Sequence, residues 1–237
     1  MVHGRPNTPR RRPLRCKPPP NPLPCTSQTA SLTGAILPSE ILWVQPAAAL
    51  LIGYLLGSIP WGILLTRIAG AGDLRTIGSG NIGATNVLRT GRKGLAAATL
   101  LLDLLKGAAA VLLVKHLFPG EELVAGAAAF IGHCYPVWLR FRGGKGVATL
   151  MGVVVALSPI AGLAYAIVWL GLLAIVRISS VAGMAAAVAA PIAAAAVGRF
   201  DLVILFLGLA MIVLWKHREN IERLVAGTEP RIGRKRE

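Results

Sequence analysis

Apolar residues fall in runs close to twenty residues long, and short polar turns between the runs collect most of the charge. A helix needs a run of about that length to cross the hydrocarbon core of a bilayer. The first run covers about residues 44–68. Gly57, Ser58 and Pro60 lie inside it and predict a kinked or broken helix. A polar segment occupies 71–94, and a second run follows at about 95–117. A turn at 119–122 leads to a third run at about 123–139, and a basic turn at 140–146 leads to a short fourth at 147–157. The fifth run, about 160–176, is separated by a turn at 177–180 from the sixth, about 181–197, where Pro191 predicts a kink. Residues 198–201 lead into the seventh, about 202–215, and a polar tail begins at Lys216. The pattern predicts an all-α polytopic membrane protein with about seven transmembrane helices.

Alternation of the spans fixes sides. Segment 71–94, turn 140–146, the turn at Arg177 and the C-terminal tail share one face and, with Arg67, hold 16 Lys and Arg; the opposite loops hold only Lys115 and Arg199. The positive-inside rule makes the first face cytoplasmic. The fourth and fifth runs carry this assignment, because merging them would reverse the side of everything after them.

Residues 1–43 break the pattern. Nine prolines fall between Pro6 and Pro38, the segment carries six basic residues, and no acid precedes Glu40. Such a segment cannot bury a core and is expected to be a disordered Pro/Arg-rich tail, dispensable to a membrane domain spanning 44–237. It is poor in acids like a targeting peptide, but the prolines oppose an amphipathic helix and it lacks the apolar centre of a signal peptide. Seven spans would leave its basic residues on the outer face, against the positive-inside rule.

Composition agrees with a membrane bundle. The 237-residue chain is 54% hydrophobic and only 15% charged. Its runs are rich in Ala, Gly, Leu and Val, and small residues allow close helix packing in lipid. A net charge of +15 raises the question of nucleic acid. The charges sit in short loops and tails, aromatics make up 5%, and no nucleic-acid module is present. Membrane lipid headgroups are the expected partners instead. Cys16, Cys25 and Cys134 form no CxxC pair and the histidines are scattered, so neither a disulfide framework nor a metal site is expected, and no cofactor is implied.

Three polar segments on the predicted cytoplasmic face carry the candidate chemistry. The first, Ser79-Gly80-Asn81-Ile82-Gly83-Ala84-Thr85-Asn86-Val87-Leu88-Arg89, offers a hydroxyl, amides and a guanidinium with no acid among them. That mixture suits a phosphate or polyol; equally, Ser79 or Asn81 could simply cap a helix. The second is Arg140–Thr149, RFRGGKGVAT, with His133 just upstream. Gly143, Gly144 and Gly146 let backbone N–H groups converge in a nest ahead of a helix N-terminus, and Arg142 and Lys145 complete an anion site. A flexible turn bearing positive-inside charges is the plainer alternative. It is not a nucleotide-binding loop of the Walker type, because Gly146 stands where Ser or Thr is required and Leu139 where the leading Gly is. The third starts at Lys216-His217. On a helix His217, Asn220 and Arg223 or Leu224 share a face, and Glu229 is placed to pin the tail by pairing with a loop arginine. Within the second run, Asp103 and Lys106 lie three apart and are expected to pair inside the bundle.

GSGNIGATNVLR at 78–89, GHCYPVWLRFRGGKGVAT at 132–149 and HRENIERLVAGTE at 217–229 resemble the three signature motifs of the bacterial acyl-phosphate:glycerol-3-phosphate acyltransferases, the PlsY family. LLDLLKG at 101–107 also resembles a family feature, and the resemblance covers about 45–229. It implies transfer of a fatty acyl group from acyl-phosphate to the 1-hydroxyl of sn-glycerol 3-phosphate, giving lysophosphatidic acid and inorganic phosphate at the cytoplasmic face of the bacterial plasma membrane. It also implies a functional link to an enzyme that makes acyl-phosphate. Carried onto this sequence, Ser79, Arg89, His217 and Asn220 would be catalytic. Asn81, Arg142, Gly143, Gly144, Lys145 and Gly146 would bind the substrate phosphate, and Asp103, Lys106 and Glu229 would support the structure. The long proline-rich N-terminus departs from the family pattern. Two rival readings come from the residues themselves. One is an acyltransferase of the H-x4-D type, for which His217 and Glu222 are a poor match. The other is a small transporter or channel for an anionic solute, suggested by kinked helices and charges within a span.

Overall fold

The computed structural model describes Met1 and residues 43–233. The expected disordered tail, with Cys16 and Cys25, therefore lies outside the described residues apart from its two end residues. Every described element is helical: α1 (Val44–Gly57), α2 (Trp61–Ile68), α3 (Ala84–Leu88), α4 (Lys93–Leu117), α5 (Glu122–Cys134), a 3₁₀ turn (Val137–Leu139), α6 (Val147–Leu157), α7 (Pro159–Val176), α8 (Ser179–Ala196), α9 (Phe200–Lys216) and α10 (Arg218–Val225).

Prolines and glycines set most of the boundaries. Pro60 has no N–H to continue the ladder, and the chain breaks between α1 and α2 as expected. The break frees carbonyls inside an apolar bundle, where each needs a donor. Trp138 Nε1 donates to the Ser58 carbonyl at 2.9 Å and Lys106 Nζ to the Ile59 carbonyl at 2.7 Å. At Pro136 α5 has already ended, five residues short of the expected 139, and the chain continues through the 3₁₀ turn. Ser158 separates α6 from α7 and caps α7 by accepting from Ala161 N at 3.3 Å, with Pro159 in the first helical position. Pro191 is carried inside a continuous α8.

Five stretches are long and apolar enough to cross a bilayer: Val44–Ile68, Lys93–Leu117, Glu122–Leu139, Pro159–Val176 and Ser179–Ala196. A sixth is reached if α9 and α10, which meet at a 58° bend, are counted together. Helix α6, with 11 residues, is about 16 Å long and falls short of the ~30 Å core. The seven apolar segments all become helices, but α6 does not meet the length of a full span.

Helix packing depends on small residues. A Cβ on Gly57 would overlap the Ala129 carbonyl of α5, and one on Gly152 of α6 would overlap the Leu104 carbonyl of α4. Backbone-to-backbone approach of this kind joins helices in lipid without a hydrophobic driving force between them. The largest core cluster gathers Phe130, Leu150, Val154, Tyr165, Leu202 and Phe206 from α5, α6, α7 and α9. Ile175 and Ile204, by contrast, are 81% and 79% exposed, which suits side chains that face acyl chains rather than water.

Candidate active site

Polar groups collect where α2, α4, α5, α6 and α9 end or begin. In the first segment one buried amide holds the loop. Asn86 Nδ2 donates to the carbonyls of Leu74 and Asn81 at 2.9 and 2.8 Å, and its Oδ1 accepts from Ser79 N at 3.2 Å and Arg89 Nη1 at 3.4 Å. Ser79 and Arg89 are thus brought to one point, with the Ser79 side chain exposed. Neither Ser79 nor Asn81 caps a helix. Gly83 is the N-cap of α3 and makes no side-chain bond, while Asn81 Oδ1 accepts from Gly83 N at 3.3 Å. Sequence reasoning quoted Asn86 without giving it a role, since nothing in the pattern separates a buried amide from exposed ones in a polar stretch.

The glycine turn departs from the expected nest. Gly143 N donates to the Cys134 carbonyl at 3.1 Å and Gly144 N to the His133 carbonyl at 3.0 Å. Two N–H groups that the sequence reserved for an anion are already used against the end of α5. The glycines are needed instead for closeness. A Cβ on Gly143 would strike the His133 carbonyl, one on Gly144 the His133 imidazole and one on Gly146 the Phe130 ring; Gly146 also has φ +84°. Gly146 is the N-cap of α6. The N–H groups for an anion are then those of the first turn of α6, which the helix itself cannot use.

Below this turn lies the buried charge cluster. Asp103 Oδ1 and Lys106 Nζ are 2.8 Å apart, and their side chains are 5% and 3% exposed, so the expected intramembrane pair is present. His133 Nδ1 lies 3.7 Å from the same Asp103 oxygen. The ring that walls Gly144 therefore rests on Asp103, and Lys106 reaches on to the break between α1 and α2. His133 was noted in the sequence only as a neighbour of the turn.

The third segment closes over the second. Lys145 Nζ donates to Asn220 Oδ1. Asn220 Nδ2 donates to Glu229 Oε1 at 2.5 Å, Ser180 Oγ donates to the same oxygen at 2.7 Å, and Arg223 Nε donates to Glu229 Oε2 at 2.7 Å. Glu229 does pin the tail, but its arginine comes from α10 and not from a loop. Arg223 shares the helix face expected for it, whereas Ser180, at the start of α8, is an addition that the sequence pattern does not signal. Tail residue Ile232 also donates its N–H to the Arg177 carbonyl at 2.7 Å. His217 is 3% exposed at the α9–α10 bend, with Nδ1 2.8 Å from the Val213 carbonyl. A carbonyl only accepts, so Nδ1 carries the proton and the neutral ring keeps Nε2 as acceptor.

Electrostatics follow from burial. Burial and the nearby Arg223 bring the Lys145 ammonium down to about 8, against the pull of Glu219 and Glu229. Burial, helped by the Lys145 charge, brings His217 down to about 4 although the Val213 carbonyl favours its protonated form, so the ring is neutral at pH 7. Burial raises the Glu229 carboxyl, but hydrogen bonds from Asn220, Ser180 and Arg223 outweigh it and hold the group below its ordinary value.

First and second segments are joined by Arg75 Nη2, which donates to the Arg142 carbonyl at 2.7 Å. Arg142 itself lines a pocket with Arg75, Trp138, Leu139 and Arg140, and among the described residues the hydrogen bond of Lys145 goes to Asn220 and not to this pocket. The remaining expected residues of the second and third segments converge. Among the described residues no group of three His, Cys, Asp or Glu is placed to hold a metal ion.

Comparison with known proteins identifies the family. Residues 47–227 match the family described as glycerol-3-phosphate acyltransferase. A protein of that name from Methylorubrum populi is 57% identical over 193 residues, 81% of this chain and 96% of the relative. Another, from Novosphingobium aromaticivorans, is 63% identical over 190 residues, 80% of this chain and 96% of the relative. Among solved structures, the glycerol 3-phosphate form of PlsY, an integral membrane glycerol 3-phosphate acyltransferase, superposes with a TM-score of 0.75 at 38% identity, covering 79% of this chain and 96% of that one. The lysophosphatidic acid form gives 0.74 at 36% identity, covering 79% and 95%. A helical bundle with lipid-facing sides, a cationic basin at its rim and this extent of identity lead to one assignment: the chain belongs to the glycerol-3-phosphate acyltransferase family of integral membrane proteins.

Proposed function

We propose that this protein transfers a fatty acyl group from acyl-phosphate to the 1-hydroxyl of sn-glycerol 3-phosphate, releasing lysophosphatidic acid and inorganic phosphate. The solved relative is described with glycerol 3-phosphate and with lysophosphatidic acid, which are the acceptor and product of this reaction. The observation that carries the reading is the Lys145–Asn220–Glu229 chain beside neutral His217, at the polar end of an apolar bundle. A soluble phosphate ester and a lipid-borne donor can meet there. The functional unit is residues 44–237, in the bacterial plasma membrane with the basin at the cytoplasmic face, the side that its concentration of Lys and Arg favours.

The donor is already activated, because phosphate is a good leaving group. The enzyme's task is to hold two anions that repel each other and to stabilise the oxyanion formed on attack. Lys145, the first turn of α6 just after the Gly143–Gly146 turn, and Asn81 take the acceptor's phosphate, with Arg142 adding charge at the edge. Ser79, Arg89 and Asn220 orient the reacting groups. The substrate hydroxyl attacks the acyl carbon, the bond from acyl carbon to phosphate oxygen breaks, and phosphate leaves with its electron pair. The hydroxyl proton passes to His217 Nε2 or to a phosphate oxygen. No acyl-enzyme is needed. Asp103, Lys106 and Glu229 hold the frame. An acyl-phosphate-producing enzyme is the expected functional neighbour.

The transporter reading loses its main support. Asp103 and Lys106 bond to each other and to a backbone carbonyl instead of lining a path. The H-x4-D reading fares no better, since Glu222 is exposed while His217 is buried.

Phosphate release from palmitoyl-phosphate by the purified protein in detergent or lipid mesophase tests the proposal. Release that needs glycerol 3-phosphate and disappears in Lys145→Ala supports both the reaction and the site. Folded protein that releases nothing from palmitoyl-phosphate, and transfers nothing from acyl-CoA, would return the assignment to transport.

A further inference from the structure

Beside the basin, with which it shares only Arg142 at the edge, the turn after α5 builds a second cationic pocket of about 250 Å³ lined by Arg75, Trp138, Leu139, Arg140 and Arg142. Among the described residues none of these three guanidiniums is in an ion pair. Three cations around one small space repel one another, and an anion placed between them relieves that repulsion.

The pocket's walls are fixed. Trp138 is anchored by its Nε1 bond to the Ser58 carbonyl, and Val137 N donates to the Tyr54 hydroxyl at 3.0 Å, which itself donates to the Tyr135 carbonyl at 2.9 Å. Arg75 is anchored on the Arg142 carbonyl. Arg140 and Phe141 are held at φ 53° and 60°, a left-handed conformation that non-glycine residues adopt at a cost, so this short turn is specified by its surroundings.

The neighbourhood decides what kind of anion fits. Val137, Trp138 and Phe141 are 52%, 49% and 58% exposed, in the same turn as the arginines. A surface that alternates large apolar side chains with guanidiniums, where a span ends, suits the boundary between acyl chains and headgroups. A soluble phosphate would use the arginines and leave those apolar groups in water. An anionic lipid satisfies both, with its phosphate among Arg75, Arg140 and Arg142 and its chains against Trp138 and Phe141. We propose that this pocket binds the headgroup phosphate of an anionic bilayer phospholipid. The inference needs the membrane position of the turn and does not need the acyl-transfer reading.

Native mass spectrometry of the purified full-length protein tests this, by titrating it in detergent with phosphatidylglycerol and, separately, phosphatidylcholine. Wild type is expected to retain phosphatidylglycerol at least tenfold more tightly than phosphatidylcholine. Arg140→Gln and Arg75→Gln should each cut that preference at least threefold, whereas Arg67→Gln, an exposed arginine outside the pocket, should leave it intact. Arg140→Gln should keep wild-type phosphate release in phosphatidylcholine nanodiscs, showing that the protein is folded. Equal loss from Arg67→Gln would mean diffuse surface charge and overturn the proposal, as would an unchanged preference in Arg140→Gln. If millimolar inorganic phosphate displaced the lipid and bound alone in an Arg140-dependent way, the pocket would be a soluble-phosphate site and the lipid assignment would fall.

Discussion

Lys145 Nζ donates to Asn220 Oδ1 across 75 residues of sequence. The bond joins the turn between α5 and α6 to the helix that closes the C-terminal end, so the main cation of the basin is aimed by a residue from the tail. Asn220 is in turn held by Glu229, and Glu229 by Ser180 and Arg223. The aim of Lys145 thus depends on groups from α8, α10 and the C-terminal tail together.

Glu229→Gln should therefore disable the site without touching substrate. An amide at 229 cannot accept equally from Ser180, Asn220 and Arg223, and losing charge-assisted bonds of this kind costs about 1.5–3 kcal/mol. We expect kcat/KM for glycerol 3-phosphate to fall roughly tenfold to a hundredfold, while gel-filtration behaviour in detergent is retained. Unchanged kinetics would mean that Asn220 holds its orientation without Glu229.

The Lys145 ammonium titrates at about 8 when the basin is empty. A phosphate dianion binds the charged form, so KM for glycerol 3-phosphate should climb as pH rises above about 8. Well above that value the climb approaches tenfold per pH unit. Lys145→Arg keeps its charge throughout this range and should flatten the climb even if turnover drops. For stability the sign is opposite. The unfolded lysine titrates near ~10.4, so between about 8 and that value the unfolded chain binds more protons, and this residue makes folding more favourable as pH rises. Initial rates at pH 7, 8 and 9 for both proteins check the first statement.

His217, brought to about 4 by burial first and Lys145 second, should stay neutral across the working range. Its ¹⁵N ring resonances, identified by their loss in His217→Asn, should not move between pH 5.5 and 8 in nanodiscs. A shift centred near 6.5 would show a solvated ring and remove the account of Nε2 as a standing acceptor.

The periodicity of apolar runs located the helices because lipid demands long apolar segments and the turns between them are short. Glycines and prolines located the break at Pro60 and the start of α6 for equally local reasons. Side-chain partners were legible only where local helix geometry dictated them, as for Asp103 and Lys106 three residues apart. The bond from Arg75 to Arg142, the contact of His133 with Gly144 and the meeting of Ser180 with Glu229 span 67, 11 and 49 residues, and tertiary packing alone creates them. At the glycine turn, close packing against His133 and Phe130 demands the small residues. The N–H groups of Gly143 and Gly144 bind the end of α5, a use that sequence spacing does not distinguish from an anion nest.

That distinction makes its own prediction. If Gly144 is required because its Cα rests on the His133 imidazole, then Gly144→Ala must push the ring or the turn away. We expect at least a hundredfold loss of phosphate release. Gly94→Ala, at a position with no atom near the added methyl and no left-handed backbone, should stay within about twofold of wild type. Comparable activities for the two variants would show that the turn tolerates displacement.

The buried pair supplies the last test. Asp103 and Lys106 are both nearly inaccessible, and His133 shares the Asp103 oxygen while Ile59 shares the Lys106 ammonium. Removing one partner strands the other charge in an apolar interior, a change that typically costs about 3–5 kcal/mol, whereas replacing both with apolar groups of similar size is much milder. Asp103→Asn and Lys106→Met should each lower folded yield and thermal midpoint in detergent more than the double variant does, with a coupling energy of about 1–3 kcal/mol in the cycle. The double variant still loses the anchor under His133 and the donor to the Ile59 carbonyl, so its activity should stay below wild type even where its fold recovers. If it matched the single variants in yield and midpoint, the pair would not be a mutual neutralisation. If it were fully active, Asp103 would not be what seats His133 under Gly144.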